Sequence, residues 1–148
     1  VGGEPVADLR VQHAPLKGID IPEEFVPLAI DEFPALFIAA ACAEGTTVLS
    51  GAEELRVKES DRIASMAKGL TDLGIVNHPT PDGIVIEGGS MGSATVETFD
   101  DHRIAMSFAI ASLRSNGPIS ILNCDHVATS FPDFAELANG VGLKLDCL

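Results

Sequence analysis

Three of the nine basic residues in this 148-residue chain, Arg56, Lys58 and Arg62, fall within seven positions. They stand in a loop that leads into an amphipathic helix and in the first turn of that helix. Cations there oppose the helix macrodipole, at about a few tenths of a kcal/mol each unless an anion is bound. The free backbone N–H groups of a first turn favour an anion as well. A second helix start repeats the device, with His102 and Arg103 following Asp100-Asp101. Helix N-termini that carry arginine and point at one place on an otherwise acidic protein make a small-anion site. With Asp31 or Glu59 close by, such a site also moves protons, and histidine is the other natural proton carrier near neutral pH. Local charge alone leaves blander readings open: a solvated cluster offset by Glu53, Glu54, Glu59 and Asp61, a capping or exposed imidazole at His102, and a salt bridge from Arg103 to Asp100.

Four helices position these groups. The first spans Asp31 to Ala43, with Asp31 as its N-cap and Pro34 in its first turn. The second spans Glu59 to Leu73, where Ile63, Met66, Ala67, Leu70 and Leu73 follow the three-four spacing and Gly74 closes the helix. The third, Asp101 to Leu113, is nearly all apolar after its first turn. The fourth covers Phe131 to Asn139. Strands are expected at Asp8–His13, Thr46–Leu49, on both sides of a turn at Pro79–Gly83 (the second being Ile84–Glu87), and at Thr95–Thr98, Pro118–Leu122 and Leu143–Cys147. Asp31, Ala35 and Ala39 have counterparts 70 residues later in Asp101, Ala105 and Ala109, and each set opens a helix followed by Gly and a strand. The order implies an α-β-α-β duplication around a shared interior. The first and third helices lack a polar face and are expected to be buried all round.

Composition narrows the class. The formal charge is −13, from 22 acidic and 9 basic residues, and the pI of about 4.4 opposes non-specific binding to nucleic acid or anionic membrane. Hydrophobic residues make up 46% and charged residues 21%, as in a globular domain. The longest apolar run, Ala35 to Ala43, is too short for a membrane span, which needs about 20 residues. The start shows neither a basic region nor an apolar one of the kind that begins a signal peptide, and it lacks Met, so the chain reads as a piece of a longer, cytoplasmic protein. Cys42, Cys124 and Cys147 are too few and scattered for a disulfide scaffold, and Cys42 reads as a core residue. Cys124-Asp125-His126 has no second ligand pair for zinc, and no dinucleotide fingerprint, P-loop or G-x-S-x-G string occurs.

Four strings then meet a known family. They are Asp31-Glu32-Phe33-Pro34-Ala35-Leu36, the run Glu53 to Arg62 with its R-V-K-E-S-D-R, Asp101-His102-Arg103-Ile104-Ala105-Met106, and the run Ala128 to Phe134. In this order and spacing, from about Asp8 onward, they closely resemble the C-terminal part of the 5-enolpyruvylshikimate-3-phosphate synthase family. The resemblance implies transfer of the enolpyruvyl group of phosphoenolpyruvate to the 5-hydroxyl of shikimate 3-phosphate, with release of phosphate, in aromatic amino-acid biosynthesis. The reaction runs by addition to a tetrahedral intermediate and then elimination, with no metal or organic cofactor. By motif, Asp31 resembles the residue that binds the shikimate hydroxyls and acts as base toward the 5-hydroxyl. Glu59 resembles the proton carrier at the phosphoenolpyruvate methylene, and His102 the histidine that supports it. Lys58 resembles the lysine near the 3-phosphate, and Arg62 and Arg103 the pair that grips phosphoenolpyruvate. Arg56 is read as structural.

Glu54 and Thr129 depart from one branch of the family, where Asn and Lys stand, and mark a subfamily. The implied fold is an α/β domain of repeated β-α-β-α-β-β units, with helices inside and sheets outside, an inside-out α/β barrel. This chain would be a partial domain of about two units, approximately 8–97 and 98–148 plus the N-terminal strand region. The implied partner is the N-terminal domain of the same polypeptide, which would complete the site, and the full-length protein would be a monomer. Two rivals remain: a UDP-N-acetylglucosamine enolpyruvyl transferase, which the R-V-K-E-S-D-R string disfavours, and a non-catalytic α/β binding module.

Overall fold

A computed structural model describes residues 2, 3 and 5–146. Helix α1 (Phe33–Ala41) is short and apolar, with Pro34 in its first turn where no N–H partner is lost. Helix α2 (Arg62–Asp72) begins three residues later than the periodicity predicts. Asp61 leaves helical geometry (φ −70°, ψ 88°) and its carboxylate accepts from the Ala64 N–H at 2.9 Å, so the cap sets the start and Glu59 lies before it. At the other end Gly74 (φ +87°) turns the chain. The N–H of Ile75 returns to the Leu70 carbonyl at 2.9 Å and that of Gly74 to Thr71 at 2.9 Å, a Schellman closure. Helix α3 (His102–Ala111) is capped by Asp101, which accepts from the Arg103 N–H at 2.9 Å.

The strands β1 (Thr46–Leu49), β2 (Asn77–Thr80) and β3 (Gly83–Glu87) form an antiparallel sheet in the order β1-β3-β2, with Thr46 opposite Glu87 and Asn77 opposite Ile86. Strands β4 (Ala94–Glu97) and β5 (Ile119–Leu122) pair in parallel, Ala94 opposite Ile119, and α3 is the crossover between them. Helices α1 and α3 lie against each other, and α2 packs across α3, β2 and β4. Phe33, Phe37, Leu55, Ile63, Met66, Leu70, Ile84, Ile86 and Phe108 form the centre of the core. No helix among the described residues is long and apolar enough to cross a membrane.

The structure corrects several expectations. Asp31 is not the N-cap of α1: the residue before the helix is Glu32, without a side-chain cap, and the Asp31 carboxylate is drawn to Arg62 instead. The expected strand at Asp8–His13 is exposed irregular chain; among the described residues of this stretch the bridges to a neighbour come later, from Lys17 to Glu44 and from Asp20 to Val48. The expected fourth helix is two, α4 (His126–Ser130) and α5 (Phe134–Gly140), because Pro132 excludes the helical region for Phe131 (φ −145°). Leu143–Asp146 form no strand. The Asn139 side chain engages both backbone groups of Leu145, at 3.0 and 2.7 Å, in place of a strand partner. Cys147, the expected end of that strand, lies outside the described residues. Cys42 is half-buried at the end of α1, where it packs against the edge of the core. Burial of α1 and α3 is also not all round: Leu36 and Ile110 are each 42% exposed. An apolar face is buried only where another element reaches it, and at these two positions the cover is incomplete.

At the crossing of α2 and α3, Gly69 meets Phe108 so closely that an added Cβ would lie 2.3 Å from the ring. Ala in place of Gly favours a helix by about 0.5–1 kcal/mol, but overpacking a core costs about 1–3 kcal/mol. Gly69→Ala therefore lowers the unfolding midpoint, and adding Phe108→Leu recovers part of the loss. A gain in thermal stability from Gly69→Ala alone would contradict this packing.

Candidate active site

Helix α2 opens on Arg62, whose side chain is only 1% exposed. A guanidinium stays charged inside proteins, so its five donors need acceptors. It finds three carboxylates. Nε donates to Asp101 Oδ2 at 2.8 Å, Nη1 to Asp31 Oδ1 at 3.0 Å, and Nη2 to Glu59 Oε2 at 2.6 Å. The first partner is buried, with an Asp101 side chain 0% exposed, while those of Asp31 and Glu59 are about half exposed. One edge of the fork is thus held from within and the other two face carboxylates reachable by solvent.

The other cations gather round Asp31. Arg103 Nη1 donates to the Asp31 carbonyl at 3.0 Å, and its Nη2 lies 3.7 Å from the Asp31 carboxylate. Lys58 Nζ is 3.8 Å from Asp31 Oδ1 and 2.5 Å from Glu54 Oε1. The starts of α1, α2 and α3 therefore meet at one place, and Asp31, Lys58, Glu59, Arg62 and Arg103 stand together there. His102 is the first residue of α3 and half-buried, but among the described residues no hydrogen bond or ion pair joins it to Glu59.

Arg56 stands apart from this group. It donates to the carbonyls of Pro81 (2.7 Å) and Thr80 and pairs with Asp61 at 2.7 Å, tying the 3₁₀ turn Glu53–Val57 to the β2–β3 hairpin. Thr129 lies in α4, outside the cluster. Arg103 does not use Asp100, which instead lies 3.8 Å from His126.

Two contributors escape a reading by motif. Asp101 reads as a simple cap, and its second oxygen turns out to bind Arg62. Ser60 donates its hydroxyl to the same oxygen at 3.1 Å. An acid at a cap facing a buried arginine leaves no sequence signal beyond its position. Burial alone would raise the Asp101 carboxyl; the hydrogen bond and charge of Arg62, with the Arg103 N–H and Ser60, hold it below the ordinary carboxylate value. Burial likewise works against the charge of Arg62, and Asp101, Glu59 and Asp31 outweigh it, so the guanidinium is held more firmly protonated than usual. As arranged, each cation already faces a carboxylate. The Nη groups of Arg62 meet carboxylates that solvent reaches, Asp31 and Glu59, while Asp101 holds Nε from the interior.

A native carboxyl held low contributes stability that is present above its unfolded value of about 3.9 and is lost as pH falls through the native value. Asp101→Asn leaves Arg62 with two partly exposed partners, and removing one member of a buried pair costs about 3 kcal/mol at neutral pH. That difference from the parent shrinks as urea unfolding is repeated from pH 7 to pH 3. A difference constant over this range would show that the ion pair is not its source.

Comparison with known proteins gives one answer. The sequence profile of EPSP synthase (3-phosphoshikimate 1-carboxyvinyltransferase) matches residues 1–137. A 3-phosphoshikimate 1-carboxyvinyltransferase of Methylococcus capsulatus is 67% identical over 146 residues, which are 99% of this chain and 33% of that protein. One from Nitrosococcus oceani is 65% identical over 145 residues, 98% of this chain and 33% of that protein. The solved EPSP synthase of Acinetobacter baumannii superposes with a TM-score of 0.87 at 61% identity, over 89% of this chain and 32% of that one. The chain thus spans about a third of the length of the relatives it matches. With sequence and fold in agreement over nearly all of its length, the chain belongs to the EPSP synthase family.

Proposed function

We propose that this chain supplies one wall of a site that transfers the enolpyruvyl group of phosphoenolpyruvate to the 5-hydroxyl of shikimate 3-phosphate, releasing phosphate. The observation that carries the reading is the buried fork of Arg62, whose two Nη groups meet the half-exposed carboxylates of Asp31 and Glu59 beside Arg103 and Lys58 at the joined starts of three helices. The reaction needs these residue types. Both substrates are anions, and in the addition step the hydroxyl loses a proton while the methylene carbon of phosphoenolpyruvate gains one. In the elimination step the methyl group so formed gives a proton up again, phosphate leaves, and the enol ether is formed.

In this reading Arg62 and Arg103 hold phosphoenolpyruvate, and Lys58 lies toward the 3-phosphate of the second substrate. Asp31 orients the shikimate hydroxyls and takes the proton of the 5-hydroxyl. Glu59 exchanges the proton at the methylene carbon, supported by His102. The bound anions take over the cationic edges that Asp31 and Glu59 occupy in the free chain, which frees both carboxylates for proton transfer. Hydrogen-bond donors placed in advance at developing charge are among the strongest catalytic devices available.

The remaining elements of the reading belong to the whole protein. The opposite wall comes from the N-terminal domain of the same polypeptide, the full-length enzyme is a cytoplasmic monomer, and the chain divides into two repeat units near residues 97 and 98. With one wall the cluster stays open to water, where each charge contact is worth much less than in a closed cleft. The isolated chain therefore folds and binds phosphate or phosphoenolpyruvate weakly, in a salt-dependent way.

Phosphate release from phosphoenolpyruvate plus shikimate 3-phosphate tests this. The full-length enzyme turns over and the isolated chain falls short by well over tenfold. Fragment turnover within about tenfold of the parent, a barrier difference of only ~1.4 kcal/mol, would sink the two-wall argument. In the full-length enzyme Glu59→Gln lowers kcat by about 10²–10⁴-fold, and a kcat close to that of the parent would remove Glu59 from the proton step.

A further inference from the structure

Asp101 reaches Arg62 because the chain makes an unusual turn just before it. Phe99 (φ 53°) and Asp100 (φ 60°) both lie in the left-handed region, and the Asp101 N–H closes the turn on the Thr98 carbonyl at 3.1 Å. Two successive left-handed positions ordinarily call for Asn and Gly, and a Phe there is strained. Phe99 is 46% exposed, so burial of its side chain does not compensate. Such strain persists only where the surroundings over-determine it.

Here the surroundings are the adjoining ends of β4 and β5. The buried Thr98 hydroxyl lies between the carbonyl oxygens of Leu122 (3.0 Å) and Asn123 (2.7 Å). Glu97 Oε1 accepts from the Thr98 N–H (3.1 Å), the Phe99 N–H (3.2 Å) and Asn123 Nδ2 (2.8 Å). Asn123 is itself left-handed, at φ 54°. All these contacts fix one thing: the direction in which the chain leaves β4, and hence the place of the Asp101 carboxylate.

We propose that Thr98, with Glu97 and Asn123, is the positioning element of the anion site: it holds the strained turn that aims Asp101 at Nε of Arg62, and so sets where the two Nη groups of that guanidinium, now held by Asp31 and Glu59, face phosphoenolpyruvate. The inference rests on the reading of Arg62 as a phosphoenolpyruvate ligand. None of the three residues touches substrate. They act through Asp101, and the effect of losing them falls on the binding of one substrate.

The test uses the full-length enzyme carrying this segment, with initial rates of phosphate release measured against each substrate in turn. Thr98→Val keeps the shape and removes the hydroxyl. It raises KM for phosphoenolpyruvate about tenfold or more, since small displacements of positioned groups carry large penalties, and leaves KM for shikimate 3-phosphate within about twofold, the mark of lost binding to one substrate. Thr98→Ser restores the parent values. Asn123→Gly preserves the left-handed backbone but deletes the bond to Glu97, and gives a smaller rise of the same selectivity, so the question stays open to test if Thr98→Val does not fold. A lower melting temperature with both KM values unmoved in either variant, or an equal rise in both, would make the clamp merely structural and overturn the inference. A wild-type enzyme that releases no phosphate from this substrate pair would overturn the functional reading itself, which separates the two failures.

Discussion

The buried pair of Arg62 and Asp101 is the constraint from which the site takes its form. Removing an arginine from water is costly, and its charge cannot be relieved by losing a proton, so every edge must be met by acceptors. Only Asp101 does this from inside the protein. The pair joins the first residue of α2 to the cap of α3, and Asp31, on the segment leading into α1, closes the third side. Three helices whose cores would pack in several rotations are thereby tied at one end in a single arrangement.

That arrangement gathers like charges. Three helix N-termini bring the positive ends of their dipoles together, with Lys58, Arg62 and Arg103 beside them, and the balance is restored by the carboxylates of Asp31, Glu54, Glu59 and Asp101. The balance is unequal in permanence. Asp101 is buried, whereas Glu54, Glu59 and Asp31 are exposed enough to be replaced by other anions. Within a protein of net charge −13 the cluster thus sets three cations against four carboxylates, one buried and three in reach of solvent.

The division of labour between the helices follows. Helices α1 and α3 are core material: α1 is wholly apolar, and α3 carries His102 and Arg103 at its start and a buried Ser107 in its middle. Helix α2 is amphipathic and packs on both the antiparallel sheet and β4. Short strands and tight closures, such as the Schellman motif at Gly74, set the helix ends, so the charged residues at the opposite ends are placed by the packing of the whole.

By itself the sequence determined the kinds of element and most of their order, because three-four spacing, β-branched runs and Gly stops are local signals. It also determined the family and the residues from which the site is drawn, because R-V-K-E-S-D-R and D-H-R-I-A-M are long, specific strings. Local signals failed where a side chain had a choice of partners. Asp31 has the type and position of an N-cap, yet a buried arginine from another helix is the stronger attraction for its carboxylate. Asp8–His13 alternates like a strand, but a strand needs a neighbour to accept its hydrogen bonds. Asp101 is legible as a cap, and its hold on Arg62 is not, because the two residues are 39 positions apart and meet only when α2 crosses α3. What tertiary structure alone decided is which carboxylate is buried and which are exposed, and that difference separates the group that holds the arginine from the interior from the groups that solvent can reach.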